Sequence, residues 1–169
     1  MSADPDPAFR TPGGRGVPSV TAAEMREVDR VAVKEVGVSL LMMMEHAGRS
    51  LADPLRGYDG RVVVLGPDTT ELTGAAATQF GVLREMGVSP APDGAVARAD
   101  LVVDALVGYG LSGPLRGRTA DLVERVGGTD AEIRSLDVPS GVNATTGERA
   151  GVDYEWPYGD GATVDLSVG

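Results

Sequence analysis

Three short apolar runs constrain the possible folds of this chain more than any other feature of the sequence. Each of them leads into a polar or glycine-rich segment. Residues 61–66 read RVVVLG, residues 100–106 read DLVVDAL and residues 132–137 read EIRSLD. Runs rich in β-branched residues are typical of strands buried on both faces. Segments with apolar residues at helical spacing, residues 73–86 and 118–128, alternate with these runs. The pattern predicts an α/β domain in which helices cover both faces of a mainly parallel sheet.

Two more helices are predicted before the first strand. Thr21 and Glu24 have the spacing of a capping box, and Gly37 is expected to end the helix that follows them. Ser39 is expected to begin the second helix, which opens with the run LLMMM at residues 40–44. We interpret this run as core packing and not as a cofactor site, because methionine and leucine readily fill irregular cores.

The remaining segments carry weaker patterns. Residues 1–18, rich in proline, glycine and aspartate, are expected to form a flexible tail before a single domain at residues 19–169. Residues 88–92 are interpreted as a short strand, and residues 93–99 as a loop or a short stretch of helix. Residues 162–168 could form a final strand.

The composition excludes several classes of function. A formal net charge of -10, with a pI near 4.5, would repel nucleic acid and anionic membranes. The chain has no cysteine, which excludes disulfides and thiolate metal sites. No apolar run approaches the roughly 20 residues that span a bilayer, and the first residues lack the apolar core of a signal peptide. We therefore expect a cytoplasmic protein.

Polar segments follow all three predicted strands, where α/β proteins bind their ligands. They are GPDTTELTG at residues 66–74, DALVGYGLSGP at 104–114 and DVPSG at 137–141. Each segment alone is also typical of an ordinary turn or helix cap. The three in succession favour a shared site at one rim of the sheet. The residues expected there are Thr69, Thr70, Asp104, the loop Gly108–Pro114, Asp137 and Ser140.

The same motifs resemble those of a known family. The opening helix VTAAEMREVDRVAVKEVGVS is followed by MMMEHAGRS, VDALVGYGLSGP and DVPSG, in that order. This succession resembles the NAD(P)H-hydrate epimerase family, of the YjeF N-terminal domain type, from about residue 20 to 147. The resemblance implies a three-layer αβα Rossmann-like fold, and it leaves a homodimer open. It also implies repair of hydrated NADH and NADPH (NADHX and NADPHX), by interconversion of their R and S epimers.

Site roles follow from the resemblance residue by residue. It implies that Thr70, Asp104 and Ser140 ligate one K⁺ per subunit, and that Asp137 is catalytic. Hard oxygen ligands suit an alkali cation, and a strand-end carboxylate can carry a proton during loss and return of the C6 hydroxyl. A loop of backbone N–H groups suits a pyrophosphate. The implied substrate-binding residues are Thr69, Thr70, Glu71, Leu72, Thr73, Gly108, Tyr109, Gly110, Leu111, Ser112, Gly113, Pro114 and Asp137.

The segment GPDTTELTG departs from the family pattern G-P-G-N-N-G-G-D-G. Asp68 replaces a glycine, Glu71 and Leu72 replace two more, and threonines occupy the other changed positions. Glycine allows close backbone approach to phosphate, and a carboxylate about 4 Å from a phosphate charge costs about 4 kcal/mol at an effective dielectric constant near 20. We interpret the segment as the remains of a phosphate loop.

Two further departures accompany it. About 12 residues separate Gly87 from Asp100, where the family has another strand–helix unit, and His46 replaces an asparagine. His46 is interpreted as a packing or supporting residue, with a catalytic role as the alternative. Two other functions therefore stay open: a non-catalytic nucleotide-binding or regulatory module on the same fold, and binding of a less charged nucleotide or an ADP-ribose-like ligand.

Overall fold

The computed structural model describes residues 9–10, 13–17, 19–60, 65–66 and 69–149. Four residues of the predicted first strand, 61–64, lie outside this part of the chain, and so does the whole predicted final strand at 162–168. Asp68, in the altered loop, also lies outside it. The predictions made for these residues therefore stay predictions.

Two short strands, β1 (Phe9–Arg10) and β2 (Gly16–Val17), pair antiparallel near the start of the chain. The sequence patterns did not predict this hairpin. The expectations of a flexible tail and of a single domain from residue 19 onward remain predictions.

Helix α1 (Ala22–Val31) begins at the predicted capping box. The Thr21 hydroxyl accepts a hydrogen bond from the Glu24 N–H at 3.3 Å, and the Glu24 carboxylate accepts one from the Thr21 N–H at 2.7 Å. The N–H and the hydroxyl of Thr21 together hold the pKa of Glu24 below its ordinary value. A π-helical segment, Ala32–Val36, continues the helix to Gly37, whose positive φ of 85° ends it as predicted.

Helix α2 (Leu40–Ala52) begins at Ser39, whose hydroxyl accepts a hydrogen bond from the Met42 N–H at 3.2 Å. The cap is as predicted, but the interpretation of residues 40–44 as core is wrong. No residue of α2 is buried among the residues that the structure describes, and Leu40 and Met42 are each more than half exposed. Five consecutive apolar residues cover more than one full helical turn, so only part of the run can face a single neighbouring helix.

Helix α3 (Gly74–Glu85) follows the altered loop, and Gly87 ends it with a φ of 81°. The strand predicted at residues 88–92 is wrong: the structure has no regular element there. Pro90 and Pro92 explain the error, because a proline has no N–H to donate to a neighbouring strand. The short stretch of helix expected next is confirmed as a 3₁₀ helix at Asp93–Arg98.

Strands β3 (Leu101–Asp104) and β4 (Glu132–Ser135) pair in parallel, and helix α4 (Gly117–Gly127) lies between them in the chain. The prediction that these two strands belong to a parallel sheet is confirmed, and they are direct neighbours in it. Asp104 and Ser135 face each other at the last pair of the ladder, so both strands end at the same rim. Each strand is shorter than predicted because the chain turns away at that rim to build the segments described below.

The buried apolar core of the described residues lies between α4 and the adjoining 3₁₀ helix. Arg118, at the start of α4, donates to the Gly66 carbonyl at 2.7 Å and makes a two-pronged ion pair with Asp93. This arginine ties the end of the predicted first strand to α4. None of the helices described is both long and apolar enough to cross a bilayer. The buried apolar side chains are Val96, Leu122, Val123 and Val126.

Candidate active site

Asp104 and Ser140, two of the predicted cation ligands, lie together at the rim of the sheet. Both are buried: Asp104 is 4% exposed and Ser140 is fully inaccessible. The Ser140 hydroxyl donates to Asp104 Oδ1 at 2.6 Å, and the Ser140 N–H donates to Asp104 Oδ2 at 2.8 Å. A shared cation site would require the two side chains to lie within about 8 Å of each other. Asp104 and Ser140 meet this distance requirement, and their role as cation ligands stays a prediction.

The carboxylate of Asp104 also accepts hydrogen bonds from two neighbours. The Leu106 N–H donates to Oδ1 at 3.2 Å, and the Ser135 hydroxyl donates to Oδ2 at 3.3 Å. Asp104, the last residue of β3, is thereby joined to the end of β4 and to the turn that follows β3. These donors, together with those of Ser140, satisfy the oxygen atoms of the buried carboxylate.

The oxygen atoms around Ser140 suit an alkali cation in chemical type. Its hydroxyl oxygen lies 2.6 Å from Asp104 Oδ1 and 3.3 Å from the Val107 carbonyl oxygen. A carboxylate, a hydroxyl and a carbonyl are the hard ligands that K⁺ prefers. The donor set therefore fits the implied K⁺.

Thr70, the third predicted ligand, lies in the turn before α3. Thr69, Thr70, Glu71 and Thr73 are exposed, whereas Leu72 is half-buried. The structure thus presents Glu71 to solvent in the segment where the family pattern has glycine. Thr70 as a cation ligand, and the five residues of this turn as substrate contacts, stay predictions.

Asp137 lies in the turn after β4, beside the glycine-rich loop. It has a positive φ of 69°, an uncommon conformation for a residue with a side chain. Its exposed carboxylate accepts a hydrogen bond from the Tyr109 N–H at 2.6 Å. A Cβ placed on Gly108 would come within 2.5 Å of Asp137 Oδ2. A side chain at residue 108 would therefore displace this carboxylate from its present position.

The loop Gly108–Pro114 is also attached to helix α1, a contact that the sequence analysis missed. The Tyr109 hydroxyl donates a hydrogen bond to the Asp29 carboxylate, and Arg26 donates to the Gly110 carbonyl at 3.3 Å. The sequence does place Arg26 and Asp29 one turn apart on the same face of a helix. Nothing in the sequence connects that face to a loop 80 residues further along the chain.

An open groove of about 630 Å³ borders the same loop. A compact turn forms its other side, where the Asn143 side-chain oxygen accepts hydrogen bonds from the N–H groups of Thr145 and Thr146 at 2.9 and 3.1 Å. This second wall was also missed, since the polar segment after residue 142 had no clear pattern. The residues lining the groove are Leu111, Ser112, Gly113, Pro114, Asn143, Glu148 and Arg149.

His46 lies away from these contacts, on α2. It is exposed and lines a shallow groove of about 360 Å³ between α2 and α3. Apolar side chains from both helices, including Leu41 and Val82, form much of this groove. Both interpretations of His46, as a supporting residue and as a catalytic one, stay predictions.

Comparison with known proteins shows the family. The sequence profile described as "YjeF-related protein N-terminus" matches residues 46–157, which is more than half of the chain and includes every predicted site residue. The chain belongs to this family. A relative from Dehalogenimonas lykanthroporepellens, named NAD(P)H-hydrate epimerase, is 35% identical, with 82% of this chain and 71% of the relative covered.

Other relatives carry the same or a related name. An NAD(P)H-hydrate epimerase from Rhodopirellula baltica is 30% identical, with 78% of this chain and 69% of the relative covered. A "Bifunctional NAD(P)H-hydrate repair enzyme" from Leishmania major is also 30% identical, but this chain covers only 30% of its length. The family match and these relatives confirm the resemblance drawn from the motifs.

A solved structure supports the fold. The crystal structure of the yeast protein ynu0 (YNL200c) superposes with a TM-score of 0.61, covering 75% of this chain and 72% of that one. Sequence identity is 18%, so this likeness concerns the fold alone. The predicted Rossmann-like α/β fold with a parallel sheet is confirmed.

Proposed function

We propose that this member of the YjeF N-terminal family is an NAD(P)H-hydrate epimerase that interconverts the R and S forms of NADHX and NADPHX. The observation that carries the proposal is the placement of Asp137. Its exposed carboxylate is held by the Tyr109 N–H at 2.6 Å, directly beside the glycine-rich loop. The relatives named NAD(P)H-hydrate epimerase support the assignment of this site.

Asp137 supplies the proton transfers of the reaction. In its protonated form it gives a proton to the C6 hydroxyl, which leaves as water while the ring nitrogen lone pair forms an iminium double bond to C6. Water then adds to the opposite face of C6, and the proton that this water loses returns to the carboxylate through solvent, because Asp137 is exposed. The Tyr109 N–H orients the carboxylate throughout without exchanging a proton itself.

The loop Gly108–Pro114 binds the substrate next to this carboxylate. Its glycines let backbone N–H groups approach a pyrophosphate, which a side chain at those positions would obstruct. The groove between the loop and the 143–149 turn has room for part of a nucleotide. Leu111 and Ser112 contribute to this wall and are proposed to contact the substrate with the rest of the loop.

Thr70, Asp104 and Ser140 would hold one K⁺ per subunit. When bound, the cation offsets part of the negative charge of the substrate pyrophosphate. The buried pair Asp104 and Ser140 also fixes the turn that carries Asp137 three residues earlier. We place the activity in the cytoplasm, exclude nucleic acid and membranes as partners, and keep a homodimer as the assembly to test.

The exposed Glu71 supports a second candidate, a non-catalytic nucleotide-binding or regulatory module. This carboxylate stands in the turn before α3, where it would repel an anionic ligand. A module of this kind would keep the fold and lose the reaction. A direct assay of R to S conversion decides between the two candidates.

The assay uses purified epimers of hydrated NADH at low and high K⁺. We expect conversion by the wild-type protein, and a loss of at least about 100-fold in kcat for Asp137→Asn. Asp121→Asn, an exposed aspartate on α4, is the matched control and should keep full activity. Absence of conversion by a folded wild-type protein at either K⁺ concentration would reject the epimerase proposal.

Restoring the altered loop separates the two candidates further. The restored protein carries glycine at 68, 71 and 72, asparagine at 69 and 70, and aspartate at 73. We expect at least a tenfold gain in affinity for an NADPH analogue, about 1.4 kcal/mol, in calorimetric titration. Equal affinity of the wild type and the restored protein would show that the loop is not degenerate. If neither protein binds the analogue although thermal melts show that both are folded, a regulatory module that does not bind nucleotides is favoured.

A further inference from the structure

Tyr109 joins the catalytic carboxylate to helix α1 through its two ends. Its backbone N–H donates to Asp137 Oδ2 at 2.6 Å, and its phenol donates to Asp29 on α1. The side chains of Tyr109 and Asp29 are both half-buried, so solvent competes only partly for the second bond. A single residue of the loop therefore carries two hydrogen bonds that point in different directions.

A second contact holds the same loop to the same helix. Arg26 donates to the Gly110 carbonyl at 3.3 Å, from one helical turn before Asp29. The residues flanking Tyr109, Gly108 and Gly110, have no side chains that could restrict the backbone. The orientation of the Tyr109 peptide therefore depends on contacts from outside the loop.

We propose that Asp29 and Arg26 are positioning residues for the reaction, which hold the substrate loop so that the Tyr109 N–H points at Asp137. This inference rests on the proposed epimerase function only for its effect on catalysis. The latch itself, defined as Tyr109, Asp29 and Arg26, is a property of the structure that can be measured without substrate.

Helix α1 is a suitable anchor because its first turn is fixed at two points. The capping box pairs the N–H groups of Thr21 and Glu24 with each other's side chains. The Ala22 N–H also donates to the Thr145 hydroxyl at 3.0 Å, in the turn that forms the far wall of the groove. The helix thus connects both walls of the groove and fixes their spacing.

The Tyr109 phenol stays a donor at all physiological pH values. Its hydrogen bond to Asp29, followed by burial and by the charge of Asp29, raises the pKa of Tyr109 to about 12. Arg26 opposes this shift, and the more distant Asp137 adds to it. Loss of the latch by deprotonation is therefore not expected below strongly alkaline pH.

The test compares Tyr109→Phe with Tyr58→Phe. Both variants lose one phenol oxygen, and Tyr58 is 44% exposed, on the segment after α2. Amide hydrogen exchange at Tyr109 and Leu111 reports on the loop without substrate. We expect exchange to become about tenfold faster in Tyr109→Phe and to stay unchanged in Tyr58→Phe. Unchanged exchange in Tyr109→Phe would overturn the proposal.

Asp29 variants test the other partner. Asp29→Ala should match Tyr109→Phe, and the double variant should be no worse than either single one, because both remove the same bond. Asp29→Asn keeps an acceptor oxygen and should restore most of the protection. A specific latch would be contradicted if the double variant lost more exchange protection than either single variant. It would also be contradicted if Asp29→Asn did not restore that protection. Thermal melts identify any variant that has simply unfolded.

Kinetics then separate the latch from the proposed function. If the wild type is an epimerase, Tyr109→Phe should lower kcat about tenfold while KM changes less than about threefold, because the proton-transfer geometry is lost and the rest of the loop remains. Faster exchange in a protein without epimerase activity would keep the latch and reject the function. Unchanged exchange and kcat in an active enzyme would reject the latch and keep the function.

Discussion

Gly108 and Asp137 fit together because glycine has no Cβ. A methyl group at residue 108 would lie 2.5 Å from Asp137 Oδ2, a distance at which one of the two must move. The carboxylate is the end of a short side chain and can rotate away more easily than the peptide between Gly108 and Tyr109 can shift. The strain would therefore fall on the Asp137 carboxylate, which would lose its hydrogen bond with Tyr109.

We predict that Gly108→Ala lowers kcat/KM by at least about tenfold, roughly 1.4 kcal/mol of transition-state stabilisation, with a fall in Tm of only a few degrees. Gly94→Ala is the control, since a Cβ there meets no atom within 4 Å. Both quantities come from initial rates with hydrated NADH and from thermal melts. Unchanged kinetics in Gly108→Ala would show that the carboxylate position beside Gly108 does not matter for turnover.

At the level of elements, Asp104 connects β3 to β4 and to the turn after it. Its carboxylate receives donors from Leu106, Ser135 and Ser140, and it is 4% exposed. If a buried acceptor is removed, its donors are left without partners. Each unsatisfied buried group then lowers the free energy of unfolding by about 1–3 kcal/mol. The parallel pair is therefore held at its carboxyl end by side chains as well as by the backbone ladder.

We predict that Asp104→Ala lowers the free energy of unfolding by about 3 kcal/mol and Ser140→Ala by about 1–2 kcal/mol. Asp53→Ala should change it by less than about 0.5 kcal/mol, because its ion pair with Arg56 is exposed on both sides. Urea unfolding at low K⁺ measures all three without a contribution from a bound cation. Equal effects of the Asp104 and Asp53 variants would contradict a structural role for the buried carboxylate.

Local signals in the sequence predicted the elements well where a few neighbouring residues decide the outcome. The capping box at Thr21 and Glu24 fixes the start of α1, and the apolar runs predicted both described strands of the parallel pair. The polar strand ends also predicted that Asp104 and Ser140 meet. These predictions succeed because strand order and strand direction bring the same ends to one rim.

The contacts that sequence reasoning missed depend on tertiary geometry. Tyr109 reaches Asp29 across 80 residues, and neither residue belongs to a motif that points to the other. The LLMMM run suggested burial from hydrophobicity alone, yet exposure depends on which neighbours a helix has. Two prolines were enough to overrule a short strand at residues 88–92. Composition indicates which structure a segment favours, but the neighbouring elements determine whether its side chains are buried.

For the whole molecule, charge is the property that affects ligand binding from a distance. The formal net charge is -10, and the proposed substrate carries several negative charges of its own. Glu71 adds an exposed carboxylate in the predicted phosphate segment, where it would oppose the attraction of backbone N–H groups for the anion. Long-range repulsion between protein and ligand therefore opposes the local attraction of the loop.

We predict that affinity for an NADPH analogue increases with salt, by about threefold between 10 and 150 mM NaCl, because the screening length falls from about 30 Å to about 8 Å. Glu71→Gln should bind more tightly at 10 mM salt and respond less to added salt. Glu85→Gln is the matched control: it removes the same charge at the far end of α3, roughly 16 Å along the helix from Gly74.

A repeat of the titration in KCl separates screening from a specific cation, since only an occupied K⁺ site would make KCl more effective than NaCl. Calorimetry measures each affinity. A loss of affinity with salt in the wild type would mean that local attraction outweighs the net charge, and that the acidic loop is not what limits nucleotide binding.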